Sequence, residues 1–233
     1  MRPEALTTVF DAGCEACPRL AAELARIRES HPGYHARPVP MFGDPRAALL
    51  VVGLAPGLHG ANRTGRPFTG DHAGILLYGT LHAHGFASHP GSADPADGLA
   101  LYGCRVTNAV KCLPPQNKPL PAELRACNRY LAAEIAAFPP RAILALGRIA
   151  HDAVLAAVQA PAKRFRFAHH AVHELPNGMR LFDSYHCSRY NTQTRRLTEA
   201  MFDAVLADVA RWLGHPVPRR GTAAWRAGGQ PHV

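Results

Sequence analysis

Ala48 to Gly53 reads ALLVVG and runs straight into LAPGLHGANRTGRPFTG, Leu54 to Gly70. A short, wholly apolar run that stops at glycine has the form of a strand buried on both faces and feeding a loop. The loop shows almost no periodicity, and with the strand's last residue it holds five glycines, Gly53, Gly57, Gly60, Gly65 and Gly70, so its backbone can approach a ligand closely. RVTNAV (Arg105 to Val110), AILAL (Ala142 to Leu146) and RLFDSY (Arg180 to Tyr185) read like the first strand. Helical patterns are predicted between and after them at Gly74 to His84, Ala122 to Phe138, Arg148 to Val158 and Thr198 to Leu213, with an amphipathic helix earlier at Leu20 to Glu29. This alternation predicts an α/β fold, a single three-layer αβα domain around a central four-stranded parallel sheet. The domain is expected to span residues 1–213. The tail from Gly214, rich in Gly, Pro and Arg, is expected to be poorly ordered.

In such sheets ligands gather beyond the carboxyl ends of the strands, here the segments that start at Leu54, Lys111, Gly147 and His186. LPPQNKPLP (Leu113 to Pro121) is held open by four prolines, and HCSRYNTQTRR (His186 to Arg196) is polar and basic. Across the chain 26 Lys and Arg face 17 Asp and Glu, a formal charge of +9, so polyanions are the leading partner class. A basic enzyme of small anionic metabolites has the same charge signature. No apolar run is long enough to span a bilayer and Met1 to Phe10 lacks the features of a secretory signal, so a cytoplasmic protein without a membrane partner is expected.

Six cysteines in that compartment point to metal ligation before disulfides. Cys14 and Cys17 form a C-x2-C pair, Cys112 follows the second strand, and fourteen residues separate Cys112 from Cys127. Four thiolates so grouped can close round zinc or a [4Fe-4S] cluster, and the spacing leaves both open. Cys104 reads as a small buried apolar residue. Cys187 beside His186 suggests a nucleophile pair, but neighbours on an extended segment point to opposite sides.

The first loop with its strand end (GLAPGLHGANRTGRPFTGD, Gly53 to Asp71), NAVKCLPPQNKP (Asn108 to Pro119), ALGRIA (Ala145 to Ala150) and SYHCSRYNTQTRRLT (Ser184 to Thr198) together resemble the uracil-DNA glycosylase superfamily. Within it they look like family 5, the iron–sulfur-containing type B enzymes, over roughly Cys14 to Leu213. Family 4 has an acidic residue where this chain has Leu54. The resemblance implies a DNA-repair hydrolase that cuts the N-glycosidic bond of uracil, and of other deaminated or damaged bases, acting as a monomer. It also implies a structural [4Fe-4S] cluster on Cys14, Cys17, Cys112 and Cys127, with zinc as the alternative.

A glycosylase must hold a flipped base and stabilise negative charge on it as it leaves. Backbone approach falls to Leu54 and Ala55. Phe68 can stack on the base or anchor the loop to the core. Asn108 offers a carboxamide to the imide edge, where many family 5 members have a small residue, and Asn117 is a second contact to base or sugar. His186 can donate a hydrogen bond to the base oxygen. With Leu54 in place of an acid, the resemblance assigns water positioning to Asp71, which can also cap the following helix. Arg63 and Arg66, with Asn62, are candidates for DNA or substrate contact from the first loop; Ser188, Arg189, Asn191, Arg195 and Arg196 are candidates from the last. Arg195 stands where the family usually has glycine. Three other readings compete: preference for deaminated purines or bulky pyrimidine adducts, a catalytically silent DNA or uracil binder, and a nucleotide-binding enzyme. The last lacks any GxGxxG or GxxxxGK[ST] after the first strand.

Overall fold

All four predicted strands form, and they form one sheet. The computed structural model describes residues 9–216. Its elements run α1 (Pro18–Ser30), β1 (Phe42–Gly43), β2 (Leu49–Gly53), α2 (Ala61–Thr64), α3 (His72–Ala83), β3 (Cys104–Asn108), α4 (Pro121–Ala137), β4 (Ala142–Leu146), α5 (Arg148–Ala157), β5 (Val172–Glu174), β6 (Arg180–Ser184), α6 (Arg189–Gln193) and α7 (Glu199–Leu213). The strand order is β1-β3-β2-β4-β6-β5. The inner four are parallel, with Leu49 level with Cys104 and Ala142, and Ala142 level with Arg180. The sheet therefore has six strands where four were expected, because β1 and β5 add antiparallel edges. Segments of two and three residues carry too little alternation to announce a strand.

Burial explains the layering. Every residue of β2, β3 and β4 is buried, and successive residues turn to opposite faces. Leu49, Val51, Leu144 and Phe182 pack on one face with Leu77, Tyr78 and Leu81 of α3 and Phe202, Val205 and Val209 of α7. Leu50, Val52, Ile143 and Leu181 pack on the other with Leu131 and Ile135 of α4 and Val154 of α5. This is the three-layer αβα arrangement. A third cluster joins Leu20, Leu24 and Ile27 of α1 to Val110, Leu113 and Tyr130, tying the N-terminal segment to the ends of β3 and α4.

Asp71 starts α3, its Oδ1 accepting from the Gly74 N–H at 2.9 Å, and Thr198 starts α7 in the same way. Gly214 closes α7 at φ 64, and His215 stacks on Phe86 at 3.9 Å. The expected tail lies outside the described residues from 217 onward. Among the described residues no helix is long and apolar enough to cross a membrane.

Candidate active site at the carboxyl ends of the strands

The four parallel strands end on a common cavity of about 570 Å³, lined by Leu54 and Ala55 after β2, Asn108 at the end of β3 and Asn117 beyond it, Leu146 at the end of β4 and Gly147 to Ile149 beyond it, and Tyr185, His186, Ser188 and Arg189 after β6. Phe68, Asp71, Asn191 and Arg196 also line it. The sequence reasoning missed Arg148, Ile149, Phe167 and Tyr185, which complete the wall.

Gly53 allows the convergence. A Cβ there would stand 2.4 Å from Phe68 Cζ and 2.5 Å from Asn108 Oδ1, so only glycine lets the ring and the amide meet at the strand end. Phe68 is held at φ 53 and is 5% exposed. The loop around it is fixed by the Tyr78 hydroxyl, which donates to the Pro67 carbonyl at 2.7 Å. Asn108 is 3% exposed, and its Oδ1 has no hydrogen-bond partner among the described residues. A buried acceptor left unpaired costs about 1–3 kcal/mol, so the amide is poised for a ligand.

His186 lies 6.1 Å from Phe68, the rings 29° apart. Burial pushes its imidazole down to about 4, so the ring is neutral at physiological pH. Its ring nitrogens have no hydrogen bond among the described residues, while its carbonyl accepts from Asn191 Nδ2 at 2.8 Å. Burial raises Asp71 above the usual carboxylate range, against the hydrogen bonds from Gly74 and Ala73. While Oδ1 caps α3, Oδ2 fills the space at Gly60, where a Cβ would lie 2.3 Å away. Cys187 points away from the cavity into the core, fully buried, and burial raises its thiol further. The His/Cys nucleophile pair is thus excluded by direction. Cys104 is likewise buried in the core.

The last loop is organised by its own polar groups. Ser188 Oγ caps α6 through the Asn191 N–H, and His72 Nε2 is hydrogen-bonded to Thr192 Oγ1 at 2.9 Å. The Arg196 guanidinium lies 4.7 Å over the Tyr185 ring. Arg189 and Arg195 are exposed, and Arg195 sits at φ 56. Asn117, also exposed, has φ 56.

Two arginines of the first loop are placed differently. Arg66, expected to contact DNA or substrate, is 6% exposed and ion-paired with Asp97 at 2.6 Å. It also donates to Thr69 Oγ1, Ser92 Oγ and the Asp94 carbonyl. Its charge is committed to fixing the loop, which corrects the expectation. Arg63 lies outside this cavity, beside His31 and Tyr34, with its Nε donating to the His59 carbonyl. Asn62 is fully buried with neither amide atom paired among the described residues.

Cys14, Cys17, Cys112 and Cys127 surround one small hollow between α1 and α4. None of the six cysteines is in a disulfide. The Lys111 N–H donates to Cys127 Sγ at 3.3 Å, and Arg129 to Cys14 Sγ at 3.4 Å. Four cysteines lining one hollow, with N–H donors on Cys127 and Cys14, suit a group that takes thiolate ligands, so the residues fit such a group.

A parallel αβα sheet whose strand ends carry a Gly-rich loop, a neutral histidine, a capping aspartate and an unpaired amide defines a class: residues 40–210 match the Uracil DNA glycosylase superfamily, and the chain belongs to it, in its type-5 branch. It is 51% identical to a type-5 uracil-DNA glycosylase of Thermus thermophilus, over 86% of this chain and 94% of that relative. The type-5 enzyme of Mycobacterium tuberculosis is 43% identical over 86% of this chain and 78% of its own length. A type-4 uracil-DNA glycosylase of Archaeoglobus fulgidus is 35% identical over only 48% of this chain.

Proposed function

We propose that the protein, acting as a monomer on DNA, hydrolyses the N-glycosidic bond of uracil to leave an abasic site. The observation that carries this is the meeting of Asp71, His186, Phe68 and Asn108 in one cavity at the strand ends. Phe68 stacks on the extruded base, and the Asn108 amide, otherwise unpaired, pairs with its imide edge. Asn117 reaches base or sugar from the rim, and Leu54 and Ala55 present backbone to the base. The neutral His186 donates to a base oxygen as negative charge develops there. Asp71, ionised, orients the water that attacks the sugar carbon, and the proton released from that water goes to solvent or to the departing base. Ser188 and Asn191 shape the loop that enters the DNA, while Arg189, Arg195 and Arg196, with Arg63 farther out, lie toward phosphates.

Cys14, Cys17, Cys112 and Cys127 would hold a [4Fe-4S] cluster, which when bound supplies a cross-link and takes no part in the base chemistry; zinc is the alternative occupant. Duplexes carrying single defined lesions test the reading. Uracil opposite guanine is expected to be converted to an abasic site. Faster release of a deaminated purine or a bulky pyrimidine adduct would reassign the preferred substrate, and binding without release of any base would make the chain a silent binder.

A further inference from the structure

Phe167 reaches the cavity from an irregular segment, so something must hold that segment against the sheet. Part of the hold is main chain: the His170 N–H donates to the Asp183 carbonyl, and the Asp183 N–H to Ala171. The rest is a buried cluster under the segment. His151 Nδ1 lies 2.8 Å from Asp183 Oδ1, His173 Nε2 lies 3.2 Å from Asp183 Oδ2, and His151 Nε2 lies 3.2 Å from the Phe165 carbonyl. His151 and Asp183 are 1% and 0% exposed.

These contacts decide where the protons are. Both ring nitrogens of His151 face groups that only accept, a carboxylate and a carbonyl, so both must carry hydrogen. His151 is then an imidazolium neutralised by Asp183, and its raised pKa agrees: burial is the largest single effect and opposes the charge, but the hydrogen bond and charge of Asp183 together with the Phe165 carbonyl outweigh it. The three side chains could also be read as a metal triad. Ligand atoms sharing a tetrahedral zinc sit roughly 3.3 Å apart, whereas His151 Nδ1 and Asp183 Oδ1 stand 2.8 Å apart, and the other His151 nitrogen faces the Phe165 carbonyl, which is the geometry of a hydrogen-bonded ion pair.

The cluster acts on the cavity wall. The His151 ring meets Phe167 edge-on at 5.7 Å, and Phe165 meets His173 at 5.8 Å. Phe167 in turn lies 6.2 Å from Tyr185, which is stacked on His169 at 5.0 Å. The His169 Nδ1 accepts from the Tyr185 N–H. We propose that the buried His151–Asp183–His173 cluster is a positioning unit for nucleotide binding, clamping residues 165–173 so that Phe167 and Tyr185 form the aromatic wall against which the extruded nucleotide packs. This rests on the glycosylase reading above.

A double-mutant cycle on the full chain tests it, with steady-state kinetics on uracil-containing duplex. The wild type is assayed first, and failure to release uracil would remove the glycosylase reading itself. Given wild-type activity, Phe167→Ala is expected to raise KM by about tenfold, the scale of a lost base–aromatic stack, with kcat nearly unchanged. His151→Gln, which cannot carry the charge or make both hydrogen bonds, is expected to raise KM similarly. The double variant should be no worse than Phe167→Ala alone, because the two changes remove the same contact. Additive KM effects, or a loss confined to kcat, would overturn the proposal. So would one zinc per wild-type chain that His151→Gln loses. If His151→Gln does not fold, His173→Gln, nearer the surface, enters the same cycle with the same expected outcome.

Discussion

Asp71 divides its two carboxylate oxygens between tasks: Oδ1 holds the first turn of α3 and Oδ2 is left toward the cavity loop at Gly60. Asparagine also caps helices well, so Asp71→Asn should leave stability within about 0.5 kcal/mol while single-turnover uracil release falls about 10²–10⁴-fold. His186→Ala should cost about 10²–10³-fold by removing the donor to the leaving base. DNA affinity, measured by fluorescence anisotropy, should hold within a few-fold in both. Unimpaired turnover in both variants would sink these assignments. The pH dependence has a definite sign. Asp71 must be ionised to act and burial raises its pKa, so the rate climbs as pH rises through that raised value. His186, already neutral above about 4, adds no inflection near its ordinary range. A wild-type rate that falls as pH rises through roughly 6.5 would mean that an imidazolium is the working form.

Among elements, the last loop shows how a side chain can sit on backbone made for another. Arg195 holds φ 56, a left-handed conformation that costs a non-glycine residue about 1 kcal/mol, and the resemblance places glycine at this position. Arg195→Gly should therefore retain uracil release within a few-fold and leave thermal stability unchanged or slightly raised. A severe loss of DNA affinity would show that the guanidinium has a specific contact. Arg66 predicts the reverse pattern. Arg66→Met takes the ion-pair partner from the part-buried Asp97 and the donor from Thr69, Ser92 and the Asp94 carbonyl, a loss of about 1–3 kcal/mol, so the melting temperature should drop while the salt dependence of DNA binding in the folded protein stays the same. Nothing in the sequence distinguishes Arg66 from Arg63 or Arg196, because all its partners but Thr69 lie in residues 92–97, an irregular stretch without pattern. The long elements were legible for the opposite reason: β2, β4 and α7 are apolar runs or apolar stripes whose period states their geometry. Phe167 was not legible at all. It reaches the cavity through a clamp whose members, His151, Asp183 and His173, come from three separate elements. Asn108 and His186 were legible because they stand at strand ends, where the topology of a parallel sheet gathers them, whereas Asp71, at the head of α3, was legible through the resemblance of its loop to the family.

At the scale of the molecule, the N-terminal segment is the part least supported by the sheet, since α1 touches neither face of it. It is held by Leu20, Leu24 and Ile27 against Val110 and Tyr130, by the Arg19–Glu123 pair at 2.7 Å, and by the hollow where Cys14 and Cys17 meet Cys112 and Cys127. A group bound to all four thiolates would cross-link residues nearly a hundred positions apart, and closing so long a loop stabilises chiefly by restricting the unfolded chain. Protein purified without oxygen should accordingly be brown and carry about four irons per chain. Cys112→Ser should lose the visible absorption and the iron together, and its melting temperature should fall because the segment comes free. The cavity residues lie on other elements, so uracil release by the folded variant at low temperature should change less than its stability does. Colourless wild-type protein with one zinc per chain would assign the site to the other metal while leaving the cross-link argument in force; protein with neither metal and an unchanged melting temperature on Cys112→Ser would remove it.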